Sequence, residues 1–329
     1  WKYQTRAYRH AYWDAGTILA NLLAVAAAMA LPATVVLGFV DSSVNRLIDA
    51  DGEREAAVAL VALGTTSASP PPAPPMPPLG LPTIRLSPSE VDYPGIRAMH
   101  AASSLLDAGE VAAWRTPYTG PRLPPPAGPV TVPPRVEPVA SPTEPIETII
   151  HRRRSTRHFA DQSLHLSQLI AVLDHALAPV PLDCVGRDCA PLTELYLIVP
   201  AVEGLAAGSY HLRRESRELV LLREGVNGRA VAHLALGQRL AAEAAVNAYL
   251  LTDLSAVLAH YGNRGYRVAQ LTGGITGGRI ELVSSALHLT ATGLTFFDDD
   301  VISYFSPHAS RMSVMYLAAF GWPWRRETT

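Results

Sequence analysis

Residues 260–268 read HYGNRGYRV, and residues 2–10, at the start of the chain, read KYQTRAYRH. The two stretches share Tyr, Arg, Tyr and Arg at identical spacing, and 258 residues separate corresponding positions. Each is followed by a glycine-containing start, a long apolar run, and a turn that carries Phe and Asp. The turns read GFVDSSV at 38–44 and TFFDDDV at 295–301. A repeat over this length indicates two homologous modules in one chain.

The two copies differ in what precedes them. More than a hundred residues of ordered-looking sequence lie ahead of the second copy, and only Trp1 precedes its partner. We therefore expect residues 1–66 to be the C-terminal part of a first module, and the chain to be a fragment of a longer protein. Residues 145–329 are expected to form the second module. Between them, residues 67–144 are a proline-rich linker with a helical island at 87–115, predicted as one helix around 91–106.

Composition limits the classes of function. The chain has 329 residues, of which 48% are hydrophobic and 17% charged, and this is typical of about two globular domains. The net charge of -2 gives no electrostatic reason to expect nucleic acid as a partner. Cys184 and Cys189 are the only cysteines, which is too few ligands for a zinc site, so no metal is expected. The cytoplasm is the default location.

Residues 15–40 carry no charged side chain and are long enough to suggest a membrane span. The corresponding stretch of the second copy, 273–297, contains Arg279, Glu281 and His288, which would be costly in hydrocarbon. The repeat therefore favours a buried core helix followed by a strand over a membrane span, and we expect no membrane association.

Periodicity and turn residues predict alternating helices and strands with separate hairpins, which indicates an α+β fold. Helices are predicted at 17–30, 42–48, 145–152, 166–177, 229–243 and 254–260, and strands at 35–39, 55–63, 194–199, 208–212, 217–222, 247–252 and 313–320. The glycine-rich run 273–278 matches neither the G-x-G-x-x-G pattern of dinucleotide-binding sites nor the P-loop pattern, and we interpret it as permitting close packing or a bend at a helix start.

The stretch 153–157, RRSTR, concentrates three guanidinium groups and two hydroxyls next to a helix end. Guanidinium groups bind phosphate through paired hydrogen bonds, and hydroxyls supply further donors. A solvated basic turn is the alternative interpretation of the same residues. Asp298, Asp299 and Asp300 are best explained by a helix N-terminus, where negative charge is favourable, rather than by a metal site. Asp183 and Cys184 are expected in an exposed loop.

Several of these stretches resemble a known family. RRSTRHF followed by LHLSQLIAVLDHAL resembles the N-terminal signature of the nitroreductase-like flavoprotein superfamily. More narrowly, GSYHLRRESRELVLL and YGNRGYRVAQLTGG resemble the SagB-type, azoline oxidase-like dehydrogenases. The first copy, KYQTRAYRHAYWDAGTILANLLAVA, is still closer to that pattern. The resemblance covers about 1–66 and 145–322.

The resemblance implies a nitroreductase-like α+β fold, with an antiparallel or mixed sheet surrounded by helices and the tandem copies paired as a pseudo-dimer. It also implies FMN at the interface between the copies. Carried over position by position, the residues that hold the phosphate and ribityl chain would be Arg153, Arg154, Ser155 and Arg157. Gly38 and the following Phe39 would lie near the flavin ring in the first copy. Thr295 and Phe296 take that place in the second copy, where the glycine is lost.

In azoline oxidases of this kind, a Lys-Tyr pair at the head of the repeated motif serves the chemistry. The pair is present as Lys2-Tyr3 in the first copy and is altered to His260-Tyr261 in the second. Either lysine or tyrosine could remove a ring proton while hydride passes to the flavin, and histidine can act as a base near neutral pH. The substrate class implied is a peptide azoline or another small molecule.

Two interpretations stay open at this point. Tyr8, Arg9, Tyr266 and Arg267 recur in both copies, and a purely structural role, holding the loop onto the following helix, explains them as well as a catalytic one. The departures Thr295, Arg279 and His260 also leave room for a non-catalytic scaffold or a peptide-binding subunit of a modifying complex. Pairing of the two modules within the chain is expected, and a homodimer is a further possibility.

Overall fold

The computed structural model describes residues 2–65, 74, 76–84, 87–121, 123–131, 139, 142–185 and 192–324. Cys189, half of the first proline-rich stretch and the charged C-terminal tail lie outside the described residues. A short 3-10 helix, Gln4–Arg6, opens the chain. The α-helices that follow are α1 (Ala7–Ala28), α2 (Asp41–Ile48), α3 (Pro94–Ala102), α4 (Ala108–Trp114), α5 (Ile146–Arg152), α6 (Leu166–Ala176), α7 (Gly228–Leu234), α8 (Arg239–Glu243), α9 (Leu254–Tyr261), α10 (Arg264–Ala286) and α11 (Asp298–Phe305).

The strands are β1 (Ala33–Val36), β2 (Leu60–Leu63), β3 (Val130–Thr131), β4 (Leu164–His165), β5 (Glu194–Val199), β6 (Val202–Glu203), β7 (Gly208–Arg213), β8 (Glu218–Glu224), β9 (Val246–Thr252), β10 (Thr290–Gly293) and β11 (Ser313–Gly321). Seven of them form one antiparallel sheet in the order β10-β11-β9-β5-β7-β8-β3. Strands β1 and β2 pair separately as an antiparallel couple, and β4 pairs with β6 in parallel. The α+β prediction is confirmed.

The large sheet is hydrophobic on both faces because helices cover it. Strands β5 and β9 are buried along almost their whole length. Helix α10 packs on β11, and α6 packs against α10 with an apolar face that includes Leu169 and Leu173. Burial of this apolar surface is the main favourable contribution to folding. The two long helices α1 and α10 lie against each other and join the two modules.

The two modules repeat one element order. In the first, α1-β1-α2-β2 follows the KYQTRAYRH stretch, and in the second, α10-β10-α11-β11 follows HYGNRGYRV. Helices α1 and α10 have 22 and 23 residues, and α2 and α11 have eight each. In both modules the strand pair is antiparallel. Below, residues that occupy equivalent places in the two copies are called counterparts. The domain boundaries drawn from the sequence stay a prediction.

Several sequence-based element predictions need correction. The island contains two helices, α3 and α4, because Asp107 caps a new helix by accepting a hydrogen bond from the Glu110 N–H. The predicted helix at 229–243 is likewise two helices, α7 and α8, and the strand predicted at 55–63 is confined to Leu60–Leu63. The glycine-rich run lies inside α10 and not at its start.

Burial and helix ends show two further outcomes. Cys184 and Asp183 were expected in an exposed loop, but Cys184 is buried and the Asp183 side chain is only 10% exposed. Burial raises the pKa of the Cys184 thiol to about 12, which leaves it protonated near neutral pH. Asp298, Asp299 and Asp300 do occupy the first turn of α11, as predicted from the helix dipole.

One stretch, Gln4–Ala28, is long and apolar enough to cross a membrane when judged by length and composition alone, and 39% of its most apolar window is buried. No second helix among the described residues passes that test. Its counterpart α10 is buried in the core, whereas α1 is buried on one face only, so the prediction of a buried core helix holds in full only for the second copy.

Candidate active site between the two modules

The two long helices meet at glycines. A Cβ atom added at Gly16 would lie 2.6 Å from the backbone carbon of Gly274, which is its counterpart. One turn further along α10, a Cβ at Gly278 would lie 2.8 Å from the Cβ of Ala20. No real side chain tolerates such distances, so glycine is required for the backbones to approach this closely. Counterparts that touch each other mark a pseudo-twofold axis at this crossing.

A second pair of counterparts meets on the same axis. The rings of Tyr8 and Tyr266 stack with 6.2 Å between centroids and 10° between planes. The hydroxyl of Tyr8 also lies 3.1 Å from that of Tyr12 and 3.3 Å from Nδ1 of His100, which belongs to α3. Tyr8 and Tyr266 therefore join the two modules.

The arginines of the motif form ion pairs that cross between modules. Arg9 of the first module donates two hydrogen bonds to Asp298 of the second, at 2.7 and 3.2 Å. Its counterpart Arg267 donates to Asp41 of the first module at 2.7 Å. Asp41 and Asp298 are themselves counterparts, each at the first position of its helix. These arginines therefore have the structural role that the sequence suggested. They hold the two modules together, however, and the predicted contact between the loop and its own following helix is wrong.

The two ion pairs that cross between the modules differ in burial. Asp41 is buried, and it also accepts a hydrogen bond from Arg264 at 2.5 Å and one from the Leu105 N–H at 2.9 Å. Asp298 is 41% exposed at its side chain and pairs with Arg9 alone among the described residues. Arg264 also donates to the Leu37 carbonyl, whereas its counterpart Arg6 is exposed. The side of the interface that carries Asp41 is therefore sealed, and the side that carries Asp298 is more open.

The RRSTR stretch lies at the β10 edge of the large sheet. It follows α5 directly, and two contacts fix it to the large sheet: Ser155 bridges to Ala291 of β10, and Phe159 bridges to Pro323 just after β11. The buried ring of Phe159 anchors the loop. The guanidinium-bearing residues Arg154 and Arg157 are exposed, and Arg153 is half-buried. The loop is thus fixed at both ends and displays its basic side chains at the sheet edge.

The three guanidinium groups differ in how far they are already paired. Arg153 donates to Glu281 of α10 at 3.2 Å, and Arg154 donates to backbone carbonyls of its own turn. Arg157 has no hydrogen bond or ion pair with any residue that the structure describes. Burial raises the pKa of Glu281, and the nearby Arg153 opposes that rise. An exposed guanidinium without a partner, beside the hydroxyl of Ser155, fits the requirements of a phosphate group.

Lys2 and Tyr3 lie on the same open side. The ring of Tyr3 stacks on His10 at 3.9 Å, and His10 in turn meets Trp13 at 4.5 Å. Trp13 contacts Phe296 at 5.5 Å between ring centroids, so the first module's pair connects to the second module's turn. The Lys2 ammonium lies 5.4 Å from the Tyr3 ring centroid. Burial lowers the pKa of His10 to about 4, with Arg9 and Arg6 adding to the shift, so this ring is neutral near pH 7.

His260 and Tyr261 lie on the sealed side, next to the end of the island. The indole of Trp114 donates to the Tyr261 carbonyl at 3.0 Å, and the Tyr261 hydroxyl donates to the Cys184 carbonyl at 2.7 Å. His260 Nε2 lies 3.2 Å from the Thr116 hydroxyl, and its ring meets Tyr118 edge-on. Tyr261 is buried. The altered pair is therefore covered by residues that immediately follow α4.

The same residues cover Gly38. Its backbone N–H donates to Asp183 at 3.0 Å, and its carbonyl accepts a hydrogen bond from Arg115. A Cβ at Gly38 would meet the Arg115 side chain at 2.8 Å and the Trp114 ring at 3.0 Å. Its counterpart Thr295 is half-buried, and Phe296 is fully buried beneath the Arg9 guanidinium, 5.0 Å away. Tyr3 is thus linked to Phe296 through His10 and Trp13, and Tyr261 is linked to Gly38 through Trp114.

Three participants were missed by sequence reasoning. Asp183 and Arg115 form an ion pair at 2.9 Å over Gly38, and Glu281 is the partner of Arg153. Each contact joins residues from different segments, so no local pattern predicts it. The carboxylate of Glu281 in a largely buried helix is the one signal that could have indicated a specific partner, because a buried carboxylate needs one. Among the described residues, no group of three or more His, Cys, Asp or Glu side chains could hold a metal ion.

The chain packs helices around an antiparallel sheet and repeats a helix–strand–helix–strand unit. Among solved structures, a protein from Anabaena variabilis assigned as a nitroreductase is similar with a TM-score of 0.77 and 26% identity, over 98% of this chain and 67% of that one. This likeness shows that the chain has the nitroreductase fold. No protein-family model matches the sequence, and no curated protein does.

Two further solved structures are similar over about half of the chain. One is the Escherichia coli microcin synthetase McbBCD complex with truncated pro-MccB17 bound, with a TM-score of 0.43 and 21% identity over 52% of this chain and 68% of that one. The other is an FMN-dependent nitroreductase from Clostridium difficile, with a TM-score of 0.37 and 14% identity over 54% of this chain and 88% of that one. Neither TM-score reaches 0.5, so we draw nothing from either.

Proposed function

We propose that the chain is an FMN-dependent oxidoreductase of the SagB and nitroreductase type, acting in the cytoplasm on a peptide azoline or a related small molecule. The observation that carries the proposal is the RRSTR loop, which is fixed to the large sheet at both ends and in which Arg157 is exposed and pairs with no residue that the structure describes. The nitroreductase assignment of the similar Anabaena protein agrees with this chemistry. FMN would be held by Arg153, Arg154, Ser155 and Arg157 through its phosphate and ribityl chain.

The proposed site is composite. The phosphate-binding loop and the turn at Thr295 and Phe296 come from the second module, whereas Lys2 and Tyr3 come from the first. The contacts from Tyr3 through His10 and Trp13 to Phe296 support this pairing. Consequently the unaltered Lys-Tyr pair and the phosphate-binding loop serve one site, although they belong to different copies. The altered pair, His260 and Tyr261, belongs to the covered counterpart.

Oxidation of an azoline to an azole removes one proton and one hydride from the ring. The flavin, when bound, supplies the acceptor for the hydride. Lys2 or Tyr3 would accept the proton, since both are within the first turn of chain ahead of α1 and neither is buried. His10 would hold the Tyr3 ring by stacking, and because it is neutral near pH 7 it adds no charge beside the base.

A non-catalytic scaffold is the second candidate, and two observations favour it. Arg153 is already paired with the buried Glu281, so one of the three guanidinium groups is partly neutralised. The counterpart turn at Gly38 is also filled by Arg115 and Trp114. Under this second proposal the chain keeps the fold without catalysing a reaction and serves as a peptide-binding subunit of a modifying complex.

Flavin titration separates the two candidates. Purified chain should bind FMN with flavin absorbance, and Arg157→Ala should weaken FMN binding by about 10- to 100-fold, since a charge-assisted hydrogen bond to phosphate contributes roughly 1.5–3 kcal/mol. Riboflavin, which lacks the phosphate, should bind the two proteins equally.

Arg239→Ala is the matched control, because Arg239 is 90% exposed and makes only a long ion pair with Glu243 at 3.7 Å. It should leave FMN affinity unchanged. A folded wild-type chain that binds neither FMN nor riboflavin would reject the flavoenzyme and leave the scaffold. Equal weakening of riboflavin and FMN by Arg157→Ala would reject the role assigned to that arginine.

A further inference from the structure

Strand β2 leaves one edge without a partner among the described residues. It pairs only with β1, whereas its counterpart β11 pairs with β10 on one side and β9 on the other. The Gly64 N–H donates to the Pro32 carbonyl, and Val35, opposite Val61, directs its own hydrogen bonds to Pro181 and Asp183. In an antiparallel pair these directions alternate, so Val61 and Leu63 direct their N–H and C=O groups to the open edge.

The outer face of α1 is also uncovered. Ile18 and Met29 lie eleven residues apart on one helical face and are 65% and 70% exposed. The counterpart face of α10 is covered: Thr276, which corresponds to Ile18, is 4% exposed, and Ile280 of the same face is 1% exposed. Helix α6 packs against α10 and brings Leu169 and Leu173 into the same core cluster as Ile280.

The counterparts Arg279 and Asn21 show the same difference between the covered face of α10 and the exposed face of α1. Arg279 of α10 donates to the carbonyls of Ala178 and Pro179, which directly follow α6 and end it. Its counterpart Asn21 turns back and donates to Thr17 of its own helix at 2.7 Å. The first module therefore lacks, among the described residues, a counterpart of both α6 and β9. Apolar faces and open strand edges of this kind are typical of surfaces that bind another polypeptide.

We propose that the open edge of β2 and the outer face of α1 form one docking surface. Its occupant would be a protein segment that presents a strand antiparallel to β2 and an amphipathic helix with leucines three and four positions apart, as β9 and α6 do in the second module. The main-chain groups of Val61 and Leu63 would supply hydrogen bonds to the strand. Ile18 and Met29 would receive the apolar face of the helix. This inference does not depend on flavin binding.

A fusion tests the surface directly. A duplicate of residues 145–259, which contains α6 and β9, is joined ahead of Lys2 in the full chain. The duplicate then leads into α1 in the same way as residues 145–259 lead into α10. Hydrogen–deuterium exchange is then followed at Val61 and Leu63. In the unmodified chain these amides should exchange at least 100-fold faster than the amides of β11. In the fusion they should slow by at least tenfold.

Matched variants locate the effect. Ile18→Glu in the fusion should restore fast exchange at Val61, because it places a charge in the proposed helix contact. Ile84→Glu, at an apolar residue that is 88% exposed elsewhere in the chain, should leave the protection intact. Both positions are exposed, so neither substitution should unfold the unmodified chain, and circular dichroism checks this.

Three outcomes would overturn the proposal. The first is an unchanged exchange rate at Val61 and Leu63 in the fusion. The second is an unmodified chain that dimerises with β2 already protected, which would make a second copy the occupant. The third is cosedimentation of the unmodified chain with phosphatidylcholine–phosphatidylserine vesicles that Ile18→Glu abolishes, which would assign the α1 face to a membrane.

Discussion

Asp41 and Asp298 begin equivalent helices in the two modules, and the contrast between them shows how a repeated interface can become specialised. Asp41 receives two arginines from α10 and a backbone N–H from the island, and it is buried. Asp298 receives one arginine and is 41% exposed at its side chain. The repeat thus supplies the same arginine–aspartate ion pair twice. On one side the island closes over it, and on the other it remains next to the proposed flavin site.

The largest loss of stability is expected from a substitution in the buried ion pair. Asp41→Asn leaves Arg264 and Arg267 as buried guanidinium groups without a carboxylate, and breaking such a pair costs about 3–5 kcal/mol of unfolding free energy. Asp298→Asn removes a pair that solvent partly screens and should cost about 1 kcal/mol or less. Denaturant unfolding of the two variants measures the difference. Equal losses would show that the two sides are energetically alike despite their difference in burial.

The next prediction compares the two pairs to which we propose a catalytic role, Lys2-Tyr3 and His260-Tyr261, and it depends on the proposed function. Lys2→Ala combined with Tyr3→Phe should slow azoline oxidation by about 100-fold or more, as expected for loss of a general base, with FMN affinity unchanged. His260→Ala should leave the rate near that of the wild type, because this residue lies beside Thr116 and Tyr118 on the covered side. Product formation from a thiazoline-containing peptide measures both variants.

A substantial loss of rate in His260→Ala, with Lys2 and Tyr3 dispensable, would assign the reaction to the counterpart site. Retained FMN binding in both variants is needed to interpret either result, because loss of cofactor would report on assembly of the site rather than on proton transfer.

The fold could be predicted from the sequence where the pattern is local. Apolar runs gave the C-terminal part of α1, the hairpin β7–β8 and the α+β class, since periodicity reflects burial on one face. The starts of α1 at Ala7 and of α10 at Arg264 lie inside the repeated motif, which the prediction treated as a loop. The split of the island was also readable, because Asp107 and Glu110 form a helix-start pattern that the prediction overlooked. What could not be predicted was the crossing of the copies. The ion pairs of Arg9 with Asp298 and of Arg267 with Asp41 join different modules. They follow from the way the two long helices pack, which no local sequence pattern reveals.

The glycine crossing is a third way to test the comparison, with a smaller expected effect. Gly16→Ala places a methyl group against the backbone of Gly274, and overpacking of this kind costs about 1–3 kcal/mol, partly offset by about 1 kcal/mol of helix propensity. Gly228→Ala is the control, since a Cβ there would meet only Ala242 at 3.7 Å. Thermal unfolding should show a lower midpoint for Gly16→Ala only. A stabilised Gly16→Ala would mean that the helices are not in close contact at this crossing.

The smallest expected effect is a pH dependence that comes from His10 of the first module and His100 of the island. Burial lowers the pKa of both His10 and His100 to about 4, and Nε2 of His100 is buried without a partner among the described residues. The corresponding position to His10 in the second module is Val268, which does not titrate. Both histidines bind protons more tightly in the unfolded chain, where the pKa is about 6.5. Stability is therefore complete above about pH 6.5 and declines as the pH falls toward 4.

At pH 5 the loss should be on the order of 1 kcal/mol for each ring, once solvent screening of its exposed half is allowed for, which corresponds to roughly 2–4 °C in the unfolding midpoint per ring. His100→Asn keeps an acceptor for the Tyr8 hydroxyl and removes the titration, so its midpoint should fall less between pH 7 and pH 5 than that of the wild type. The change with pH is the quantity to compare, because the substitution itself can lower stability at every pH. An identical slope in the two proteins would show that His100 is not held neutral by the interface, and would place the acid sensitivity elsewhere in the chain.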